Sequence, residues 1–333
     1  MAREGTGRGE FALIADLFAP LSTSASGALG LLDDAAVLDI PAGHQLVAAA
    51  DALIAGVHFR VDDPPGLIAR KALRVNLSDL AAMGAKPLGF LQTLTLNETT
   101  DDAFLGDYAE GLKQDVDTFA CPLMGGDTTS GPGPFSITVA VLGVVESGAA
   151  LLRSGAHEND VLCVTGTIGD ASLGLLCLED GIKVSGNSKD KLISRYQLPQ
   201  PRLSIGQGLA GLATSCIDIS DGLVADVGHI CTASNTSAAI EQSKIPLSGE
   251  SRAILEDSPG LWPRVLGGGD DYELAFTVAE ERLNEALDLG RKENVPVTPI
   301  GRIIGVNGGK VGVTVRGDGG AEVQVSTAGY THR

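Results

Sequence analysis

Aspartates in this chain stand repeatedly at the ends of apolar segments, beside glycine, serine or threonine. Asp33 and Asp34 precede AAVL, Asp51 follows LVAAA, Asp79 closes VNLSD, Asp127 lies in MGGDTTSG, and Asp218 and Asp221 share CIDISDG. One strand-terminal aspartate is explained by the preference of Asp for turns and helix N-caps. Seven together point to oxygen ligands for hard cations. Without His or Cys partners the set suits Mg2+ or Mn2+ rather than Zn2+, and Mg2+ usually takes one or two carboxylates plus substrate phosphates. Several such ions in one acidic cleft imply a nucleoside triphosphate or another polyphosphate as ligand.

Other chemistries find little support. No GxxxxGK[ST] sequence is present, which argues against a P-loop, and no GxGxxG follows a strand and opens a helix. Glycine-rich stretches at 125–131, 166–171 and 267–273 read as loops that present backbone N–H groups to phosphate, or as ordinary turns. Arg153, in RSGA, suits a bidentate phosphate clamp, although a solvated surface role fits equally. His58, in DALIAGVHF, stands between a candidate metal aspartate and an apolar run, as a site residue or as a core histidine satisfied by the backbone. His44, His157, His229 and His332 have no acidic or nucleophilic partner that spacing selects, so a Ser-His-Asp site is not expected. Cys121, Cys163, Cys177, Cys216 and Cys231 form no CxxC pair; the odd, scattered set fits reduced thiols in a cytoplasm. Electrostatic chemistry on phosphates is what remains.

The elements that must position these groups follow from periodicity. A short amphipathic helix through Phe11, Ile14, Leu17 and Phe18 is expected to end at Pro20, followed by strands at 35–40 and 45–50. A helix over 67–83, a strand over 89–96, a helix marked by Leu105 to Phe119 and strands at 122–124 and 135–145 complete an α/β unit. Near residue 148 the texture changes. A strand at 161–165, a polar loop at 180–190, helices at 203–212 and 223–231, strands at 216–219 and 272–278, a charged helix and glycine-punctuated strands over 297–325 make a second unit. The expected architecture is mixed α/β (α+β), with domains at 1–147 and 148–333. With 24 Lys and Arg against 42 Asp and Glu among 333 residues, the net charge is −18, which argues against nucleic-acid binding. No run of 18 apolar residues suggests a membrane span.

The segments DALIAGVHF, KALRVNLSDLAAMGAKP, GGDTTSGP, RSGA, VTGTIGDA, DISDGLVADVGHI and GGGDDYELAFTV, in that order and spacing, resemble the thiamine-monophosphate kinases. That family belongs to the aminoimidazole-ribonucleotide synthetase superfamily, and the resemblance runs from about residue 10 to residue 330. It implies ATP-using homodimers in the cytoplasm, with an N-terminal sheet that pairs across the dimer and a C-terminal α/β domain. The implied reaction moves the ATP γ-phosphoryl group to thiamine monophosphate with several Mg2+ bound, giving thiamine diphosphate and ADP in thiamine diphosphate biosynthesis. Position by position, the resemblance makes Asp34, Asp51, Asp79, Asp127, Asp218 and Asp221 Mg2+ ligands. It makes Gly126, Asp127, Arg153 and Ser220 ATP contacts, and His58, Asp270 and Thr327 substrate contacts. Asp127, Asp221 and Arg153 are the candidates for the catalytic role.

The chain departs from the family at four places. A turn glycine is replaced by Leu32 in GLLDD; two hydroxyl residues before Asp51 are replaced by Ala49 and Ala50; the usual Glu is Asp270; and an aromatic platform is replaced by Thr327. If the missing hydroxyls ligate metal themselves, one ion is held less well; if backbone carbonyls do so, the loss is mild. These departures motivate two alternatives, a relative with a different acceptor and a weakly catalytic nucleotide-binding homodimer.

Overall fold

The computed structural model describes residues 10–184, 186–306, 311–317 and 321–323. It divides into two compact units, Met1–Leu80 with Lys86–Ser147, and Ala81–Ala85 with Gly148–Arg333. Thr327 and His332 lie outside the described residues, as does the end of the strand region expected to reach 325.

The first unit opens with α1 (Glu10–Leu13), one π turn over Ile14–Phe18 and a 3-10 turn over Ala19–Ser22. Pro20 does not stop this helical path. It sits in the first turn of the 3-10 segment, where its missing N–H is not needed. The strand expected at 35–40 is irregular chain instead, tied by the Val37 N–H to the Gly27 carbonyl at 2.8 Å. Then come β1 (His44–Ile54), α2 (Pro65–Ala82), β2 (Lys86–Leu96), α3 (Asp102–Phe119), β3 (Leu123–Ser130) and β4 (Ser136–Glu146). The sheet order is β1-β4-β2-β3, with β2 and β3 parallel and the other pairs antiparallel. The GGDTTSG stretch is therefore mostly strand, not loop. Gly126 pairs with Gln92, whose carbonyl a Cβ at 126 would overlap, so glycine there serves a close strand approach.

Helix α3 starts where Asp101 accepts the Phe104 N–H at 2.8 Å and ends at Ala120, which turns left-handed at φ 49°. It meets α2 at two glycines, Gly66 and Gly111, where a Cβ on Gly111 would overlap the Gly66 backbone. Nearby, buried Asp115 accepts from Arg74 at 2.5 and 2.9 Å and from Arg70 at 3.1 Å. This fork is bidentate, the geometry in which a buried carboxylate is best compensated. The core includes Leu73, Leu77, Phe90, Leu112 and Ile137, and buried Tyr108 donates to the Gln92 side chain at 2.9 Å.

The second unit contains β5 (Val161–Thr165), α4 (Asp170–Leu178), α5 (Asn187–Gln197), α6 (Leu203–Leu209), β6 (Ser215–Asp218), α7 (Leu223–Ser234) and β7 (Ser237–Glu241). It continues with α8 (Gly249–Asp257), α9 (Trp262–Gly267), β8 (Leu274–Val278), α10 (Leu283–Lys292), β9 (Val297–Ile304) and β10 (Val313–Arg316). Strand order is β10-β7-β9-β5-β8-β6, antiparallel except for β10 with β7. Every β5 residue is buried because both sheet faces are covered. Leu162 and Val164 join one core with Leu223, Val227 and Ile230 of α7, while Val161 and Cys163 join another with Ile205, Leu209 and Ala286. The expected polar loop at 180–190 is shorter than its composition suggests, because α5 begins at Asn187 and buries Leu192 and Tyr196. The five cysteines are buried and unpaired, and burial pushes the Cys121 and Cys163 thiols up to about 12, away from nucleophilic use. Among the described residues no helix is long and apolar enough to cross a membrane.

The glycine crossing gives a paired expectation. Gly111→Ala should destabilise the protein by about 1–3 kcal/mol through overpacking. Gly106→Ala, in the same helix with nothing near its Cβ position, should be neutral or stabilising by up to about 1 kcal/mol. Urea unfolding midpoints at unchanged slope measure both; equal effects would remove the crossing as a constraint.

Candidate functional site

In the first unit Asp33, Asp34, Gly126 and Asp127 line one cavity of about 600 Å3. Asp127 is exposed on β3, and its carboxylate accepts the Thr128 N–H at 2.9 Å. The lip of the cavity explains the replaced turn glycine. Leu32 has φ −105°, which any residue adopts, whereas Leu29, Gly30 and Leu31 are left-handed at φ 53°, 68° and 57°. The unusual backbone is thus at 29–31, and a side chain at 32 costs nothing in conformation.

Asp51 lies elsewhere in that unit, exposed on the edge strand β1 and opposite Val139 of β4. Its N–H donates to the Asn76 side chain of α2 at 3.1 Å, and Asn76 in turn donates to the Ala72 carbonyl at 2.9 Å. Asp79 is half-buried three residues farther along α2, on the same helix face as Asn76. Asn76 therefore links the Asp51 and Asp79 elements; its place in NLSD was the available signal. Strand alternation puts Ala49 on the Asp51 face of β1 and Ala50 on the other, so only one lost hydroxyl bears on Asp51. His58 is half-buried after β1, and its Nδ1 accepts the Ile54 N–H at 3.0 Å. That bond uses Nδ1 as an acceptor. Neither Asp51, Asp79 nor His58 lines the cavity that holds Asp34 and Asp127.

In the second unit Asp218 ends β6, almost fully buried, with Ser220 and Asp221 directly after it. The segment 267–273 folds onto them: the Asp270 N–H donates to the Ser220 carbonyl and the Tyr272 N–H to the Ile219 carbonyl, both at 2.8 Å. Asp218, Ser220, Asp221 and Asp270 are thereby brought together. Arg153 is exposed beside the beginning of β6, where the neighbouring Leu152 carbonyl accepts the Cys216 N–H at 2.9 Å; Asp218 is at that strand's other end.

Three acidic groups that were not singled out complete the region. Asp226 reaches back from α7 to accept the Asp221 and Gly222 N–H groups, each at 3.1 Å. Burial, reinforced by the charges of Asp218 and Asp221, pushes its carboxyl up to about 8. Asp226, Asp221 and His229 offer ligand atoms within 4.8 Å of one another. This corrects the expectation that His229 lacks an acidic partner: Asp226 and His229 are three apart on one helix, a spacing that places them together. His157 likewise has Asp160 at 3.8 Å. Asp271 accepts the Gly169 and Ala171 N–H groups at 2.7 and 3.3 Å at the start of α4, and burial pushes it up to about 8. Glu273 accepts from Arg202 Nε at 2.6 Å, Arg195 at 2.8 Å and Thr165 at 2.6 Å.

The family described as AIR synthase related protein, N-terminal domain, matches residues 32–145, and its C-terminal domain counterpart matches residues 157–314. Thiamine-monophosphate kinase of Escherichia coli K12 is 44% identical over 300 residues, 89% of this chain and 90% of the relative. The crystal structure of thiamine-monophosphate kinase from Stenotrophomonas maltophilia K279a has a TM-score of 0.81 at 37% identity, covering 92% of this chain and 98% of that one. A structure of AaThiL complexed with AMPPCP and TMP has a TM-score of 0.76 at 30% identity, covering 98% and 97%.

The raised Asp271 carboxyl sets a pH dependence. Unfolded, the group titrates near 4; folded, near 8. Between those values the folded state binds more protons, so this group's contribution to stability is lost as pH rises, by up to about 1.4 kcal/mol per pH unit. Asp271→Asn keeps an oxygen acceptor and cannot ionise. Urea midpoints from about pH 5 to about pH 8, without divalent cations, should fall less steeply than in the wild type; an unchanged slope would refute the assignment.

Proposed function

The chain belongs to the thiamine-monophosphate kinases of the AIR synthase related family, and from that membership we propose that it transfers the ATP γ-phosphoryl group to thiamine monophosphate with Mg2+ bound to its aspartates. The observation that carries this is the convergence of Asp34, Gly126 and Asp127 on one cavity in a chain that matches a relative of that name along 89% of its length. ATP is the co-substrate.

The donor chemistry fits Mg2+. Apart from His229 the candidate ligands are carboxylates, and in the second unit burial, reinforced by the charges of Asp218 and Asp221, raises their neighbour Asp226. Asp34 and Asp127 in one region, Asp51 and Asp79 in another, and Asp218 with Asp221 in the second unit are the residues that hold the ions. Mg2+ supplies neutralisation of the charge that two phosphates bring toward each other.

The remaining work is positioning. A phosphate monoester has its second pKa near 6, so thiamine monophosphate arrives as a dianion near pH 7 and no side chain need remove a proton. In the first unit Gly126 and Asp127 of β3 are the candidates for ATP; in the second unit the candidates are Ser220 and Arg153, and Arg153 offers a charge that cannot be lost. The candidates for contact with thiamine monophosphate are His58 in the first unit and Asp270 in the second. Holding both reactants in line accounts for most of the rate in such a transfer. Two copies are expected to associate: β1 is an eleven-residue edge strand, mostly exposed, with Leu46 48% exposed, and an uncovered edge of that length invites pairing.

Purified protein supplied with ATP, Mg2+ and thiamine monophosphate should form thiamine diphosphate and ADP, and should leave free thiamine untouched. Absence of thiamine diphosphate above background would overturn the assignment, and turnover on another acceptor alone would replace it. Asp79→Asn and Asp221→Asn should each lower the rate by about 100-fold or more in proteins whose melting curves remain cooperative; unchanged turnover would remove those residues from the ion sites.

A further inference from the structure

The turn that carries Asp270 is strained. Gly269, Asp270 and Tyr272 have φ of 69°, 65° and 50°, and for a residue as bulky as Tyr272 a left-handed backbone is a genuine outlier. Such conformations persist only where the surroundings over-determine them, and they gather at functional sites. Here the surroundings are specific. The main chain is laced to Ile219 and Ser220 by three bonds of 2.8 Å, from Asp270 and Tyr272 N–H and to the Glu273 carbonyl. Asp271 is fastened to the start of α4, and the Arg195 guanidinium also reaches the Asp271 carbonyl at 3.5 Å. Directly after the strained residues, the Glu273 carboxylate is enclosed with no exposed surface between Arg195, Arg202 and Thr165. Gly166 leaves room for it, since a Cβ there would overlap the carboxylate.

We propose that Glu273, held by Arg195 and Arg202, is a positioning residue that fixes the strained 269–272 turn and so sets where Asp270 meets thiamine monophosphate. This rests on the kinase activity and the substrate role of Asp270 given above. None of the three residues touches substrate; they act through the turn. Arg202→Lys keeps the charge but loses the planar fork that meets both carboxylate oxygens. A point charge on a flexible stem leaves the turn free to relax.

The test is steady-state kinetics of Arg202→Lys on the full chain, with thiamine monophosphate and ATP varied separately, alongside Asp270→Asn and the double variant. Arg202→Lys should raise KM for thiamine monophosphate about tenfold or more, the scale of one lost charge-assisted hydrogen bond, with KM for ATP changed less than about twofold. In the Asp270→Asn background the same substitution should have little further effect, because coupled residues are non-additive. A purely structural role would lower the amount of active enzyme and hence the maximal rate at unchanged KM. That result, or full additivity with Asp270→Asn, overturns the proposal. Should Arg202→Lys fail to fold, Arg195→Lys, on the other guanidinium of the clasp, carries the same expectations. A wild-type control without thiamine diphosphate would overturn the kinase assignment and this proposal with it; wild-type turnover with an unmoved KM in the variants overturns this proposal alone.

Discussion

Glu273 is a carboxylate with no exposed surface, and the second unit is arranged around making that tolerable. Burial alone pushes such a group up, yet Arg202, Arg195 and the Thr165 hydroxyl outweigh it and hold the carboxyl below its usual range. Asp271, two residues earlier and equally buried, has backbone N–H partners and only a more distant charge from Arg195, and burial wins there. The comparison shows what two direct guanidinium contacts do. Because a buried charge left unpaired is far more costly than an exposed one, the ion cluster obliges β5, α5, the chain before α6 and the end of the 267–273 segment to converge. Ile219 and Ser220 are drawn in by the backbone bonds of that segment, so the geometry of Asp218 and Asp221 depends on a cluster that contains neither.

A different constraint governs the first unit. Its candidate site aspartates, Asp33, Asp34, Asp51, Asp79 and Asp127, are exposed or half-buried and spread over separate elements: a cavity lip, an edge strand, a helix and strand β3. In the first unit the arginines next to a buried carboxylate serve Asp115 at the α2–α3 contact instead. A net charge of −18 is compatible with handling polyphosphates when divalent ions intervene.

Much of this was legible in the sequence, and the misses have physical causes. Val161–Thr165, long apolar helical patterns and the two-unit alternation of strands and helices were readable because each reflects burial on one or two faces. The strand character of GGDTTS was hidden, since glycines that permit a close strand approach look the same as glycines that make a loop. The first turns of α5 were hidden by polar composition, because only Leu192 and Tyr196 face inward. The aspartates stood out through their positions at segment ends. Asp271 and Glu273 did not, since their importance comes from partners 102 and 108 residues away, and no local pattern carries that information. The His229 partner was within reach, three residues back on the same helix.

Direct phosphoryl transfer between two bound substrates leaves a signature that hydrolysis does not. The most direct measurement follows the label from ATP carrying 32P in its γ-phosphate, in a single turnover with Mg2+ and thiamine monophosphate. Direct transfer places the label in thiamine diphosphate, in one-to-one proportion to ADP formed, with no labelled inorganic phosphate above the rate without acceptor. Label released as inorganic phosphate while thiamine monophosphate stays unchanged would contradict it.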